Sequence, residues 1–459
     1  MTKTFRVAMV AACPFPANHG SPASIREMSE ALARLGHEIH VVTHPNGQDI
    51  PVTGVRIHRA AGLGFRNTVK VGPFWQRPIF DFLLLVKLLR VIRNERIEII
   101  HAHNYEGALI GYAAKLLTGR PLLYNAVNIM SDELPSYRFI RPKALAKWIG
   151  RWLDHLVPLT ADSITVVSEE LQDFMARRGI PSRRVVLVPA GVNPEMFRNV
   201  DPHWIRRSYP VGSRPVILYT GTLDQFQRVD YLLQAMQKVA AREPHALLAV
   251  YPNIVDPALL ETHREMAARL GITENVLWMK DGHLQELPHC LASADIAVLP
   301  RPACPGHPVK LLNYMAAGKG IVAFKGSAKG LRHMYNGFLV EDHDWQGLGE
   351  GILTLLKEPQ LAKRLGENAK ACIQGNFDWS TLANGISVIY RRMTAVDRRE
   401  EGAPDDRELY RYLRKSYHPV FFERRRRSVP TAFPNRRKSN RRIQAKQISS
   451  LERRKMTHE

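Results

Sequence analysis

Apolar and polar positions follow two alternating periodicities through most of the chain. Short apolar runs, which are typical of buried strands, are followed by segments with apolar residues three or four apart, which are typical of helices. The first unit predicts a strand at 5–11, a helix at 25–35 that Ser24 would cap, and a second strand at 38–43. This strand–helix–strand order predicts a parallel sheet with helices on both faces.

The same order recurs twice along the sequence. In the first half, strands are predicted at 97–101, 122–125, 163–167 and 185–188, with helices at 79–92, 106–117, 143–159 and 169–178. After Pro-Ala-Gly at 189–191 the pattern restarts, with strands at 216–219, 246–251, 276–279, 296–299 and 321–324 and helices at 229–240, 257–270, 284–292 and 309–317. Three further helices are predicted at 345–357, 360–372 and 380–396.

These elements predict two Rossmann-like, doubly wound α/β domains. We expect an N-terminal domain at 1–190, a second domain at 191–378, a helix at 379–400 that returns to the first domain, and a tail at 401–459. If the two sheets face each other, their carboxyl edges and helix N-termini line a shared cleft. Helix N-termini favour anions, so this cleft predicts a nucleotide or phosphorylated ligand.

Composition indicates a globular intracellular chain. The 459 residues are 45% apolar, and the four cysteines lie far apart without a C-x-x-C pair, which argues against disulfides and zinc. The N-terminus reads as a first strand and not as a signal peptide, so a cytoplasmic location is expected. The apolar helix at 79–92 is too short to cross a bilayer and carries Asp81, Lys87 and Arg90. It is interpreted as a buried crossover helix, with a membrane-surface helix as the alternative.

The positive charge is concentrated near the C-terminus. The net charge is +22, and residues 401–459 contribute 17 Lys/Arg against 7 Asp/Glu, a net of +10. Such an arginine-rich segment is expected to be largely disordered. It could be a solvated tail, could bind an anionic membrane surface, or could bind nucleic acid; of the last two, the membrane is favoured.

Several stretches, taken in order, resemble the GT-B glycosyltransferases of the retaining family 4 type over roughly residues 1–395. They are GHEIHVVTH, IHAHNYEGALIGY, SITVVSEEL, VVLVPAGVNPEMF, YTGTLDQFQRVDYLLQAM, ADIAVLP and PVKLLNYMAAGKGIVAF. The resemblance implies a nucleotide-diphosphate sugar held by the second domain, an acceptor on the first, and transfer with retention. It also implies that no metal and no cofactor take part, because helix dipoles and basic side chains stabilise the departing diphosphate.

Lys310 is the central candidate for donor binding. It follows Pro308 in the first turn of a predicted helix, where a cation is unfavourable unless an anion binds there. Gly20, at the first strand-to-helix loop, could bring backbone close to an anion. The resemblance adds further positions, and the full predicted donor set is Gly20, Gly221, Thr222, Arg228, Gly306, His307, Val309, Lys310 and Asn313.

The chain departs from the family pattern at several positions. Pro305 and Asn313 stand where the family has the two carboxylates of its Glu-x7-Glu motif, so this motif is eroded. Thr222 and Gln227 stand for a basic pair, and Arg228 is the neighbouring cation that could replace it. Asn125 and Val127 stand for an Asp and a His, and His103 and Glu133 are the candidates for a compensating catalytic role among nearby polar residues that also include His101, Asn104, Glu106 and Asp132.

The sequence therefore predicts a glycosyltransferase that uses a nucleotide sugar and a glycan or lipid-linked acceptor, at the cytoplasmic face of a membrane. Two alternatives remain: a catalytically degenerate relative that acts as a scaffold or partner of an active transferase, and a nucleic-acid-associated protein that uses the basic tail.

Overall fold

A computed structural model describes residues 3–17, 20–62, 77–136, 142–253, 255–280, 282, 285–302 and 308–398. The predicted tail at 401–459 lies outside these residues, as do Pro305, Gly306 and His307. The described residues form two parallel sheets within one compact unit. The predicted fold class, two Rossmann-like α/β domains, is confirmed.

The first sheet has seven parallel strands in the order β3-β2-β1-β4-β5-β6-β7. The strands are β1 (Arg6–Ala11), β2 (Glu38–Thr43), β3 (Val55–Arg59), β4 (Ile99–His103), β5 (Leu122–Ala126), β6 (Ser163–Val166) and β7 (Val185–Leu187). The helices are α1 (Gly20–Arg34), α2 (Arg77–Asn94), α3 (Asn104–Thr118), α4 (Met130–Glu133), α5 (Lys143–Thr160) and α6 (Glu169–Arg177).

The second sheet has six parallel strands in the order β10-β9-β8-β11-β12-β13. The strands are β8 (Val216–Thr220), β9 (Leu247–Tyr251), β10 (Val276–Trp278), β11 (Ile296–Leu299), β12 (Gly320–Phe324) and β13 (Phe338–Val340). The helices are α7 (Trp204–Ser208), α8 (Val229–Arg242), α9 (Pro257–Arg269), α10 (Leu287–Ser293), α11 (Val309–Ala316), α12 (Trp345–Lys357), α13 (Pro359–Ile373) and α14 (Trp379–Arg398).

Several elements differ from the sequence-based expectation, among them β13 and α7, which are only three and five residues long and were not predicted. Strand β3 was not predicted, because its Val-Arg-Ile-His-Arg sequence is half polar, as suits a partly exposed edge strand. Helix α1 begins at Gly20, so Ser24 lies inside the helix and is not its cap. The short helix α4 was also missed, because four residues are too few to show a helical period.

The first sheet is covered differently on its two faces. Ile100 and Ala102 of β4 face a core shared with α2, α3, α5 and α6. The alternate residue His101 faces the other side, where its Nδ1 lies 2.8 Å from the hydroxyl of Tyr390 on α14. Helix α14 also packs against α1, so the last described helix lies on the first sheet.

The two segments that connect the halves of the molecule pair with each other through their backbones. Val192 N donates to the carbonyl of Phe377 (2.8 Å), and Trp379 N donates to the carbonyl of Val192 (3.2 Å). The Trp379 indole then donates to the Glu27 carboxyl on α1 (2.8 Å). A side chain at Gly191 would lie 2.6 Å from the indole, so this position requires glycine.

The carboxyl edges of the two sheets also meet. Glu170 lies in the first turn of α6, which follows β6, and Lys329 follows β12. Their side chains form an ion pair. Both residues follow the carboxyl ends of their strands, so the loops and helix N-termini at the two carboxyl edges come together, where α/β sheets bind their ligands.

Candidate active site

Lys310 is held at the carboxyl edge of the second sheet. Its ammonium group donates to the hydroxyl of Tyr219 (3.1 Å) and to the side-chain oxygen of Gln227 (2.9 Å). It also lies 4.4 Å from the centre of the Tyr219 ring. Both of these acceptors are neutral, so they orient the cation without adding negative charge. The sequence had identified Gln227 only as a departure from a basic residue.

Gly221 makes room for this lysine. A Cβ atom at Gly221 would lie 2.5 Å from Nζ of Lys310 and 2.9 Å from its Cε. The φ angle of Gly221 is 117°, which a residue with a side chain rarely adopts. The structure therefore brings together two predicted donor residues, Gly221 and Lys310, that lie 89 positions apart in the sequence.

Helix α11 is fixed to strand β8 by a second contact. The hydroxyl of Tyr314 accepts from the backbone N–H of Thr220 (2.9 Å) and lies 3.1 Å from its side-chain oxygen. Tyr314 is fully buried. Since Lys310 lies one turn earlier on the same side of α11, this contact fixes the N-terminus of the helix, and with it the lysine, over the end of β8.

A second cation, Arg301, lies at the same edge. It follows β11, and its guanidinium is 5.0 Å from the centre of the Phe226 ring. Burial raises the pKa of Tyr219 well above its ordinary value, and the charge of Arg301 opposes that shift. Sequence reasoning missed Arg301, although its place directly after a predicted strand in ADIAVLPRP was an available signal.

Arg228 has different neighbours. It binds the carboxylate of Asp230 through Nε (2.9 Å) and Nη2 (2.7 Å), and its guanidinium lies over the ring of Tyr231 at 3.3 Å. The ion pair with Asp230 is the main reason that the pKa of Arg228 is raised. The Asp230 carboxylate therefore compensates the positive charge of Arg228, which the sequence analysis predicted to contact the departing diphosphate.

The remaining predicted donor residues lie on α11, next to Tyr219, or outside the described residues. Val309 is the first residue of α11, and Asn313 lies one turn beyond Lys310. The carbonyl of Thr222 accepts from the Tyr219 hydroxyl at 2.6 Å. Gly306 and His307 lie outside the described residues.

The carboxyl edge of the first sheet carries a neutral hydrogen-bonded chain. Thr165 donates to the side-chain oxygen of Asn125 (3.1 Å), and the Asn125 amide donates to Nδ1 of His103 (3.1 Å). Because Nδ1 is thus an acceptor, the neutral His103 ring carries its proton on Nε2. Among the described residues, that atom has no hydrogen-bond partner.

His103 is fully enclosed. It is 1% exposed, its ring stacks on that of His101 with 4.5 Å between centroids, and burial lowers its pKa to about 3. A ring in this environment is uncharged at neutral pH and is a weak base. His103 therefore offers hydrogen bonding, whereas a charged role would require a change in its surroundings.

Two helix N-termini lie together near this series of hydrogen bonds. Gly20 begins α1 with a φ angle of 47° and no atom within 4 Å of where a side chain would be. The hydroxyl of the next residue, Ser21, lies 3.5 Å from the side-chain oxygen of Asn104, which begins α3. Two helix N-termini at one place provide a favourable location for an anion.

Glu133 lies on α4 and accepts a hydrogen bond from the side chain of Asn128. Helix α4 is held by the fully buried Asp154 of α5, whose carboxylate accepts from the backbone N–H groups of Met130 (2.8 Å) and Ser131 (3.0 Å). The contacts therefore place the two predicted catalytic residues in separate groups, His103 with Asn125 and Glu133 with α4.

One cluster could hold a metal ion. His40, His58 and Glu95 place ligand atoms within 4.8 Å of one another, with 3.0 Å between the two histidine nitrogens. The Arg56 guanidinium, however, lies 3.3 Å from the Glu95 carboxylate and 2.9 Å from that of Glu38, which contacts His40. The carboxylate that a metal ion would need is thus already paired with a cation.

A cavity of about 430 Å³ lies at the opposite, amino edge of the second sheet. Lys319 lines it and donates to the carbonyls of Ala292 (2.7 Å) and Ala294 (2.8 Å) at the end of α10. Helix C-termini repel phosphate, and the Lys319 ammonium group is already hydrogen-bonded to these carbonyls. The cavity is therefore a poorer candidate for a diphosphate than the Lys310 edge.

Known proteins share this architecture. Residues 19–191 match the family model described as "Glycosyl transferase 4-like domain", and residues 202–371 match "Glycosyl transferases group 1". Among relatives, D-inositol 3-phosphate glycosyltransferase 2 of Catenulispora acidiphila is 27% identical over 401 residues, covering 81% of this chain and 90% of that protein.

Solved structures agree in fold. Sucrose-phosphate synthase from Thermosynechococcus elongatus superposes with a TM-score of 0.71 at 19% identity, covering 85% of this chain and 100% of that one. HepE of Anabaena, crystallised with UDP-glucose, superposes with a TM-score of 0.65 at 16% identity, covering 83% and 98%.

Proposed function

Since the chain belongs to the glycosyltransferases of the GT-B fold, with a family 4-like domain followed by a group 1 domain, we propose that it transfers a sugar from a nucleotide-diphosphate donor with retention. The acceptor is a glycan or a lipid-linked glycan, and the reaction belongs to polysaccharide or glycolipid synthesis. The structure of HepE with UDP-glucose supports a donor of this class.

One observation carries this proposal: the Lys310 ammonium is fixed beside Gly221 at the N-terminus of α11. A cation, a helix N-terminus and a glycine that lets backbone approach are the three features that bind a diphosphate. In transfer they would stabilise the negative charge that develops on the departing diphosphate. Arg301, at the same edge, would add a second positive charge.

The first sheet would receive the acceptor. Its edge offers the paired helix N-termini at Gly20 and Asn104, which suit a phosphate. The relative named for D-inositol 3-phosphate is consistent with a phosphorylated polyol. Glu133 on α4 is the carboxylate proposed to bind acceptor hydroxyls.

A catalytically degenerate partner protein is the second candidate. It is favoured by Asn125 and Asn313, which are uncharged where the family pattern has carboxylates, and by the enclosure of His103. Such a protein would bind a nucleotide sugar and leave it intact.

A donor panel separates these functions. The full-length protein is titrated calorimetrically with UDP-, GDP- and ADP-sugars, and slow donor hydrolysis is measured in the same samples. Binding of one donor with hydrolysis supports the transferase. Binding without hydrolysis or transfer to any offered acceptor supports the degenerate protein, and no binding to any donor contradicts the transferase.

A further inference from the structure

The helices on one face of the first sheet expose an unusual number of large apolar side chains. Thirteen such side chains are exposed among the described residues, and ten of them lie on α2, α3 and α5. We call these ten the apolar face: Ile79, Phe82, Leu109, Leu116, Leu117, Leu145, Trp148, Trp152, Leu156 and Leu159. Since α2 packs against α3 and α3 against α5, the three helices present one continuous surface.

Helix α3 is apolar on both of its sides. Ala108 and Ala114 pack into the core, whereas Leu109, Leu116 and Leu117 face outward, with exposures of 44%, 67% and 68%. A helix that is apolar all round normally lies inside a protein or a membrane. The outer side of α3 is therefore suited to contact with an apolar surface.

Helix α5 repeats the pattern with larger side chains. Leu145, Trp148, Trp152, Leu156 and Leu159 recur every three or four residues, so they form one stripe along the helix. The two indoles are 64% and 54% exposed. Tryptophan combines a large apolar area with a polar N–H group, which suits the boundary between hydrocarbon and water.

The exposed charged residues of α2, α3 and α5 are all basic, although Asp132 on α4 and Asp162 after α5 are exposed nearby. Lys143, Lys147 and Arg151 are exposed on α5, and Arg90 and Arg93 are exposed on α2. Acidic side chains on the described parts of the three helices are withdrawn from the surface. Asp154 is fully buried, the Asp81 carboxylate lies 3.1 Å from His44, and Glu106 is half-buried.

We propose that the apolar face docks on the surface of an anionic lipid bilayer. Leucine and tryptophan side chains would enter the boundary region, and the flanking lysines and arginines would pair with acidic head groups. None of the helices described is long and apolar enough to cross a bilayer, so binding would be to the surface. A protein partner fits less well, because lysine is depleted at protein interfaces.

Docking on this face would also place the membrane near the acceptor edge. Helix α3 begins directly after His103, and α5 supports α4 through Asp154 and through Gly150, where a side chain would lie 2.6 Å from the carbonyl of Met130. This step rests on the proposed function, whereas membrane docking itself does not. A lipid-linked acceptor would reach Glu133 without leaving the bilayer surface.

Vesicle flotation tests the proposal with the full-length protein. Vesicles of phosphatidylglycerol and phosphatidylethanolamine are compared with vesicles of phosphatidylcholine alone. Removing the two indoles in Trp148→Ser/Trp152→Ser should weaken binding to the anionic vesicles at least about tenfold, because two large apolar areas are lost. Removing two charges in Lys147→Gln/Arg151→Gln should weaken it roughly thirtyfold at low salt, and less at high salt.

Matched controls separate this face from the rest of the chain. Met334→Ser/Tyr335→Ser removes two apolar side chains that are each 44% exposed outside the apolar face, and Arg264→Gln/Arg269→Gln removes two exposed charges on α9. Both should bind as the wild type does. Circular dichroism shows whether each variant is folded. If the indole variant does not fold, the charge variant still tests the proposal.

Three results would overturn the proposal. The first is unchanged binding by both face variants. The second is binding that is lost only when Arg424–Arg427 in the tail are changed to glutamine, which would assign it to residues 401–459. The third is no vesicle binding by the wild type. Analytical ultracentrifugation of the indole variant would then show whether a second copy of the chain covers the face.

Discussion

At the carboxyl edge of the second sheet, Lys310 and Arg301 bring two positive charges close to Tyr219, whereas at the corresponding edge of the first sheet the groups in contact, His103 and Asn125, are neutral. Both sheets are parallel, and both point helix N-termini at their carboxyl edges. The backbone therefore makes either edge attractive to an anion, and the side chains make the second edge the more positive of the two.

Buried titratable groups of the first half are also shifted toward the uncharged form. In the first half, burial raises the pKa of Glu27 to about 7 and lowers the pKa of His37 to about 4 and of His103 to about 3. These three groups of the first half thus favour the uncharged form, while the second half holds Lys310 against Tyr219 and Gln227 at its edge.

The largest expected effect concerns Glu27. Its pKa lies above the ordinary value of 4.5, so the folded protein retains a proton between about pH 4.5 and pH 7 that the unfolded chain has lost. The free energy of unfolding should therefore fall as the pH rises through this window, by about 3 kcal/mol. Glu27→Gln should remove this loss while keeping an acceptor for Trp379. Urea denaturation at pH 5 and pH 8 measures it.

The exposed Glu261→Gln on α9 is the control and should leave the pH dependence of the wild type unchanged. A Glu27→Gln protein whose stability falls between pH 5 and pH 8 as much as that of the wild type would show that Glu27 is not buried in its uncharged form.

Removal of Lys310 has the next largest effect. Lys310→Ala should weaken donor binding about fiftyfold, because a charge-assisted hydrogen bond to the diphosphate is lost. The measurement is calorimetric titration with the donor found in the panel. Lys357→Ala removes an exposed lysine at the end of α12 and should bind as the wild type does. Equal affinities for Lys310→Ala and the wild type would place the diphosphate elsewhere.

His103 provides the third prediction. Its pKa is lowered from 6.5 to about 3, so the unfolded chain takes up a proton below pH 6.5 that the folded protein does not. Stability should fall by about 2 kcal/mol from pH 6.5 to pH 5 on this account. Glu27 acts in the opposite direction, so the comparison is made in Glu27→Gln, with and without His103→Asn. If both proteins lose equal stability, His103 is accessible to protons when folded.

The smallest effect tests the uncharged contact that Gln227 makes with Lys310. Gln227→Glu keeps the shape of the side chain but places a carboxylate 2.9 Å from the ammonium group. The new ion pair should weaken donor binding about tenfold at pH 8. Affinity should recover as the pH falls and the new carboxyl is protonated. Gln237→Glu on α8 is the matched control, and an affinity that does not change with pH in Gln227→Glu would contradict this role.

The sequence predicted most of the fold. Runs such as Val216–Thr220 are apolar throughout because strands of a parallel sheet are buried on both faces, so their signal is local and strong. The edge strand β3 and the start of α1 escaped prediction, since partial exposure and a glycine-led helix carry weaker local signals. The parallel character of both sheets followed from the strand and helix order, whereas the order of strands within each sheet was not predicted.

The sequence predicted Gly221 and Lys310 as donor-binding residues from motif position and helix-end electrostatics. Their contact, and the roles of Tyr219 and Gln227 in it, depend on how α11 packs over β8. Arg228 was assigned a role at the diphosphate, whereas the structure pairs it with Asp230.

Periodicity alone determined which segments became strands and helices, because it records how each segment buries apolar side chains. It could not determine which side of α3 or α5 would face outward, since both sides of α3 are apolar and α5 has apolar residues around most of its circumference. Only packing against the first sheet decided that, because the sheet covers one side of each helix. Packing of the helices on the sheet thus left Trp148 and Leu117 at the surface and enclosed His103.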